Sequence, residues 1–506
     1  MRCIIKSIFK SVVIITIFSV LTKMVGFLFR VYLSRTLSTY TLGIYTLAYS
    51  VFTVLVTAVS SGTPLAISKL VSSSNNNKSC GSYVFNALWI SSILSIAICI
   101  FVLVFPKLFY LILTTEESFT LLLSMLPAVI SNATYAPFRG YLWGKEQYFK
   151  VSFVELVEQI IKITTCFTLF TIFNKLSKIL SVGIAVSLSC ILSSIVGVVF
   201  YFTSSGRLHR NRTLIKPVIH SATPLTLVRL SGSLTQPLMS LILTHQLVHI
   251  GFSNDQALSQ IGVAMGLTMP VLSIPGTLIG SLAMALIPRI SKDLNDKNYN
   301  SISSQISASY TFTISSLCFA CLIFYTFGDK ICMLLYNNLQ SGIILQNTAW
   351  VMLPMGISQL TTSILNSLSL EQKTFKFYII SSLILLTCVY FMPQFVGVYA
   401  LLISMGVSMT IISVLNIHTI KTSIPIKSKF FTPLLTQLAV CLPLSLLLRF
   451  MYNLLNIIFT KMFAFVLCSM LGFVIYVALL FALNVLDIVQ IAPLINKFKK
   501  KRTSKV

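Results

Sequence analysis

Eight ionisable residues stand inside or at the edges of long apolar runs: Lys23, Arg30, Arg35, Arg139, Glu155, Glu158, Lys162 and Arg229. At the centre of a membrane helix such a residue costs at least about 2.5–3.5 kcal/mol, so it normally faces a partner or a polar cavity rather than lipid. Lys23 and Arg30 are seven residues apart and share a helical face, with Gly26 between them to allow close packing or a bend. Arg35 ends the same run, where a long side chain also reaches the headgroups by snorkelling. Glu158 and Lys162 have the favourable i,i+4 order, and Glu155 lies one turn earlier on the same side. This trio reads as a self-neutralised structural cluster, as a proton or cation site, or as counter-charge to the basic residues of the first run. Arg229 lies between Pro224 and Pro237 and precedes Ser231-Gly232-Ser233, the pattern of a broken, substrate-facing helix. Arg139, in Pro137-Phe138-Arg139-Gly140-Tyr141, suits a cavity or a headgroup contact equally. Several positive charges facing one low-dielectric cleft attract an anion, and arginine binds phosphate or pyrophosphate in a forked, directed way.

Other chemistry is weakly signalled. Cys318-x-x-Cys321 lies mid-run without the further ligands a metal site requires, and reads as apolar packing. His245 and His249 have a metal-compatible i,i+4 spacing but no third ligand nearby, which favours a solvated or interfacial pair. Trp89, Trp143 and Trp350 read as interface or packing aromatics. With no Walker or kinase motif, transport here runs on gradients or passive exchange unless a separate ATPase takes part. Carboxylates spread thinly over short loops argue against a membrane transferase. No cofactor is expected. A coupling proton or sodium ion is compatible with Glu155 and Glu158.

The elements that hold these residues follow from composition. Hydrophobic residues make up 56% of the chain and charged residues 9%, against about 25% charged in soluble domains. Most of the surface must therefore face lipid. A spanning helix needs about 20 apolar residues, and fourteen segments qualify: 11–34, 41–66, 84–105, 119–141, 152–174, 179–203, 221–244, 258–288, 309–327, 341–367, 374–393, 395–420, 430–452 and 462–486. The first reads as an uncleaved helix rather than a leader, and the eighth, with Pro270 and Pro275, as bent or tilted. The segment Ile331–Tyr336 is a short apolar extension near Asp329. Alternating the loops from a cytoplasmic N-terminus places 25 basic residues inside and 7 outside, the asymmetry that the positive-inside rule demands of a multi-pass inner-membrane protein with both ends cytoplasmic. The net charge of +26 thus reads as topology and anionic-lipid contact, the basic tail Lys497–Lys505 included, and not as nucleic-acid binding.

An internal repeat is visible. Ile67-Ser68-Lys69 recurs as Ile290-Ser291-Lys292, Glu146-Gln147 as Glu371-Gln372, and Phe149-Lys150 as Phe375-Lys376, at offsets of 223, 225 and 226. The expected fold is all-α: two pseudo-symmetric six-helix lobes, 1–215 and 216–425, followed by spans 13 and 14 and the basic tail in 426–506, with a transport cleft between the lobes.

Lys23-Met24-Val25-Gly26-Phe27 through Arg30 to Leu33-Ser34-Arg35 resembles the first helix of the stage V sporulation protein B family. The resemblance continues through Leu42-Gly43-Ile44-Tyr45, Ser61-Gly62-Thr63-Pro64 to Lys69, Phe138 to Tyr141, Glu158-Gln159, Met269-Pro270 and Ala285 to Ser291. It implies the fourteen-helix, two-lobe fold of the superfamily that unites multidrug extruders, oligosaccharidyl-lipid flippases and lipid II flippases. It also implies export of an undecaprenyl-pyrophosphate-linked sugar, lipid II foremost, by alternating access for spore cortex synthesis, with Lys23, Arg30 and Arg35 as the cavity cations. Cell-wall synthesis proteins are the partners so implied. The lipid II flippases' acidic–basic pair in span eight is missing: Gly266-Leu267-Thr268-Met269-Pro270 carries no charge. Competing readings are an ion-coupled extruder of cationic drugs, working through Glu155 or Glu158, and a membrane scaffold of the cell-wall machinery.

Overall fold

A computed structural model describes residues 2–74, 76–172, 177–211, 214–424 and 431–483, with side chains from residue 18 onward except those of 285, 288 and 431. The basic tail Lys497–Lys505 lies outside the described residues, as do Lys175, Arg212, Lys427 and Lys429. Among the described residues every regular element is a helix, as lipid requires of a chain that must satisfy its backbone internally.

The first part of the chain forms α1 (Arg2–Thr36), α2 (Thr39–Ser60), α3 (Thr63–Ser72), α4 (Asn77–Val104), α5 (Pro106–Leu113), α6 (Glu116–Gly144), α7 (Tyr148–Ile172), α8 (Lys178–Thr203), α9 (Ile215–His249) and α10 (Asn254–Ile261). A π-helical turn, Gly262–Thr268, leads to α11 (Met269–Leu272), α12 (Ile274–Asn295), α13 (Tyr299–Tyr336) and α14 (Leu339–Thr348). After a 3-10 turn, Ala349–Val351, come α15 (Met352–Ser367), α16 (Glu371–Phe391), α17 (Pro393–Val396), α18 (Tyr399–Ser423), α19 (Phe431–Ile458) and α20 (Lys461–Ala482).

The described parts of the fourteen expected intervals lie mainly on helix, and among the described residues ten helices are long and apolar enough to cross a membrane. Three others fall short for local reasons. Any membrane-length stretch of α7 contains Glu155, Glu158 and Lys162, α9 is diluted by Arg229 and its hydroxyl residues, and α15 has only 16 residues. The eighth interval is bent in pieces: Pro270 and Pro275 each stand in the first turn of a new helix, where a missing N–H costs nothing. Ile331–Tyr336 belongs to α13, which kinks at Phe327 and runs on to Tyr336.

Two compact units result, 1–266 and 267–506. In the first, α6 is the hub, packed on α2, α3, α4 and α8, while α7 lies on α8 and α1, and α9 on α2 and α3. Small residues set these distances. A Cβ on Gly43 would sit 2.0 Å from the Leu258 carbonyl oxygen, and one on Gly140 would sit 2.7 Å from that of Pro64. In the second unit α15 packs on α12, α13 and α18, and α13 packs on α14 and α19.

The repeat has a firmer register in three dimensions than in sequence. Helix ends Ser72 and Asn295, helix starts Glu116 and Leu339, ends Gly144 and Ser367, and starts Tyr148 and Glu371 all differ by 223. So do two pairs of non-glycine residues with left-handed backbone, Thr114 with Asn337 and Glu146 with Ser369. The Ile-Ser-Lys match keeps this register. The Glu-Gln and Phe-Lys matches are corrected by two and three residues: Glu146 belongs to the turn before α7, whereas Glu371 opens α16.

Candidate functional site

The candidate site is built on the α6–α7 hairpin. A three-residue turn, Lys145 to Gln147, joins the two helices, with Glu146 left-handed at φ 57°. Tyr135, Arg139 and Trp143 recur at four-residue steps on α6 and therefore share a face. Arg139 forms an ion pair with Glu155 of α7, and its guanidinium lies 4.6 Å from the Trp143 ring centroid. The Tyr135 side chain is held in place because Gly197 of α8 has no Cβ: one there would sit 2.1 Å from the Tyr135 ring.

Further along α7, Lys162 Nζ lies 3.5 Å from Glu158 Oε1 and 3.4 Å from Gln159 Oε1. Lys162 is only 6% exposed, so Glu158 supplies the compensation that a buried ammonium needs. The Cys190 thiol of α8 approaches Glu158 Oε1 at 3.9 Å. Tyr45 and Tyr49 of α2 are within electrostatic reach of Lys162, and Tyr45 also of Arg30. On α1, Gly26 faces Gln159, whose Oε1 would lie 3.6 Å from an added Cβ. A chain of polar groups thus runs through α1, α2, α6, α7 and α8, its two acids paired with Arg139 and Lys162.

The remaining expected residues are placed differently. Arg30 is half-buried, while Lys23 and Arg35 are exposed on α1. Arg229 Nη1 donates to the Ser61 carbonyl at 3.1 Å, where α2 breaks before α3. It therefore caps a freed carbonyl at a helix C-terminus, where a cation is favoured, and its side chain is otherwise exposed. Glu155 has its partner on α6, not on α1 and not within its own trio. Among the described residues no group of three or more His, Cys, Asp or Glu is placed to hold a metal.

The second copy of the motif carries none of this charge. At the offset of 223, Arg139 corresponds to Thr362, Glu155 to Tyr378, Glu158 to Ser381 and Lys162 to Leu385. Thr362 accepts from Asn416 Nδ2 at 3.0 Å, and Ser381 bonds Ser408 at 2.5 Å. Charged contacts of the second unit lie elsewhere: Asp329–Lys330 at 2.8 Å just past the kink of α13, and Arg449 of α19 against the Tyr325 carbonyl and ring. The charge-free Gly266–Pro270 stretch forms the π turn and the start of α11, and its Thr268 hydroxyl bonds the Ser341 carbonyl at 3.2 Å.

A duplicated helical motif, many membrane-length helices and ion pairs set inside one copy define a polytopic all-α membrane protein. The chain belongs to the polysaccharide biosynthesis protein family, whose model matches residues 8–294. It is 21% identical over 444 residues to stage V sporulation protein B of Bacillus subtilis (strain 168), covering 83% of this chain and 85% of that one. It is likewise 21% identical over 353 residues to sporulation protein YkvU of the same organism, covering 67% and 77%. Its fold is similar to that of the lipid II flippase MurJ in an inward closed conformation, with a TM-score of 0.76, 13% identity and coverage of 93% and 99%. An inward-facing MATE family multidrug resistance transporter matches with a TM-score of 0.67, 12% identity and coverage of 80% and 94%. The two structural neighbours are thus a flippase and a multidrug transporter by name.

Proposed function

We propose that the protein is a flippase that exports an undecaprenyl-pyrophosphate-linked cell-wall precursor, lipid II foremost, across the cytoplasmic membrane by alternating access, in the service of spore cortex synthesis. The observation that carries this reading is the full-length likeness to a lipid II flippase in a chain that gathers the cations Lys23, Arg30, Arg139, Lys162 and Arg229 in one compact unit. Arginines in a low-dielectric setting select phosphate-type anions. The sporulation relatives support the cortex assignment. The excess of basic residues in alternate loops, 25 against 7, supports cytoplasmic termini. Lys23, Arg30 and Arg35 of α1 bind the pyrophosphate, with Arg139 and Arg229 as further contacts, and Glu155 and Glu158 are counter-charges or the seat of a coupling proton or sodium ion.

The MATE likeness favours a second reading, an ion-coupled extruder of cationic drugs. Both carboxylates it would use already pair with internal cations, which weighs against it. Reconstitution in vesicles with labelled lipid II separates the two. Wild type should change the leaflet accessibility of the label and Arg30→Ala should not. No change with folded wild-type protein, combined with drug efflux that depends on Glu155 or Glu158, would overturn the flippase reading.

A further inference from the structure

The Arg139–Glu155 contact has the features of an anion site occupied by an anion of its own chain. A guanidinium offers five N–H donors in a fixed fork. Glu155 engages Nη2, while Nε is buried and has no hydrogen-bond partner among the described residues. One turn back on α6, the Tyr135 hydroxyl is also buried without a partner, in a side chain only 8% exposed. It lies within electrostatic reach of Arg139, Glu155 and Glu158. Two hydrogen-bonding groups at the site are thus left over by the carboxylate that occupies it. A tetrahedral phosphate has more acceptor oxygens than a carboxylate to offer the guanidinium fork and a neighbouring hydroxyl.

Access and energetics agree. The Arg139 and Glu155 side chains are each about a third exposed, and ion pairs open to this degree contribute only about 0–1 kcal/mol, so a more highly charged anion displaces the carboxylate readily. Trp143, stacked on the guanidinium, holds the fork in place whichever anion is bound.

We propose that Arg139, with Tyr135, is a binding site for a phosphate-bearing headgroup, and that Glu155 is its built-in competitor, displaced when the headgroup arrives. Taking that headgroup as a lipid-linked pyrophosphate rests on the flippase reading; the phosphate chemistry does not.

The stacked tryptophan supplies the readout. Full-length protein bearing Trp89→Phe and Trp350→Phe, leaving Trp143 as the one tryptophan, is placed in phosphatidylcholine nanodiscs and titrated with geranyl pyrophosphate. A parallel series replaces phosphatidylcholine stepwise with phosphatidylglycerol. The Trp143 emission should change saturably. Glu155→Gln should tighten binding about fivefold, the factor that corresponds to removing a competitor of about 1 kcal/mol. Arg139→Lys should weaken binding and Arg139→Gln abolish it, with unfolding midpoints unchanged. Saturation by geranyl pyrophosphate supports a lipid pyrophosphate as occupant. Saturation by phosphatidylglycerol alone supports the phosphate site but assigns it to bulk lipid. Affinity that is unchanged or weaker in folded Glu155→Gln, or binding that survives Arg139→Gln, overturns the proposal. If the titrations behave as expected while labelled lipid II does not move, the flippase reading falls and the phosphate site stands.

Discussion

Replacing Glu158 by Gln removes the counter-charge of an ammonium that the fold has buried. At 3.5 Å and an effective dielectric constant of 20, the gross Coulomb attraction is about 5 kcal/mol. Breaking such a pair from one side costs about 3–5 kcal/mol, because the remaining charge is left uncompensated. The two partners are not equivalent: the Lys162 side chain is 8% exposed and that of Glu158 26%. Lys162→Met, which leaves the more accessible carboxylate, should therefore cost less than Glu158→Gln. The double substitution Glu158→Gln with Lys162→Met should recover most of the loss, since neutral replacements of a buried pair are often close to neutral in stability. Thermal unfolding of the detergent-solubilised protein, followed with a thiol-reactive fluorophore, reads this directly because Cys166 and Cys190 are buried beside the pair. A midpoint lower by about 3–5 °C is expected for Glu158→Gln. A single variant within about 1 kcal/mol of wild type, or a double variant no better than the worse single, would refute the view that Lys162 depends on Glu158 for its burial.

Two further outcomes follow from packing and capping. Gly197→Ala places a methyl group 2.1 Å from the Tyr135 ring, and overpacking of this kind costs about 1–3 kcal/mol; the loss should shrink when Tyr135→Leu is added, as unfolding of the pair of variants would report. Arg229→Ala removes only an exposed cap on the Ser61 carbonyl and should shift stability by less than about 1 kcal/mol, so loss of lipid II movement in a variant with a normal unfolding midpoint would place Arg229 at the cargo, and unchanged movement would confine it to capping.

What the sequence discloses and what it withholds divide along a physical line. Apolar runs interrupted by short basic loops carry the helices directly, so the bent segment around Pro270 and Pro275 can be anticipated, whereas the run of α13 through its kink at Phe327 to Tyr336 cannot. The Glu158–Lys162 pair is equally accessible, because i,i+4 neighbours on one helix need no knowledge of packing. The partner of Glu155 is not. It depends on which face of α6 meets α7, and that is decided by packing between helices distant in sequence, such as Gly140 on Pro64 and Gly197 on Tyr135. Trp143 reads as an interface aromatic by residue type, yet the four-residue spacing of Tyr135, Arg139 and Trp143 is the signal that places it on the guanidinium. The repeat shows the same limit: Ile-Ser-Lys keeps its register because Ile67 and Ile290 are fully buried, whereas the loop-borne Glu-Gln match drifts where side chains have little to pack against.

The three-residue turn between α6 and α7 has a consequence for how the chain enters the bilayer during synthesis. α6 is apolar enough to partition into lipid on its own, whereas α7, with three ionisable residues in any membrane-length window, is not. A helix of that kind remains at the insertion machinery until a neighbour neutralises it. The turn delivers that neighbour at once, because Arg139 has just emerged when Glu155 follows. α6 and α7 should then leave the ribosome-bound channel as one hairpin, and any insertion into the Lys145–Gln147 turn long enough to part them should be felt first as failed assembly, before any cargo is met.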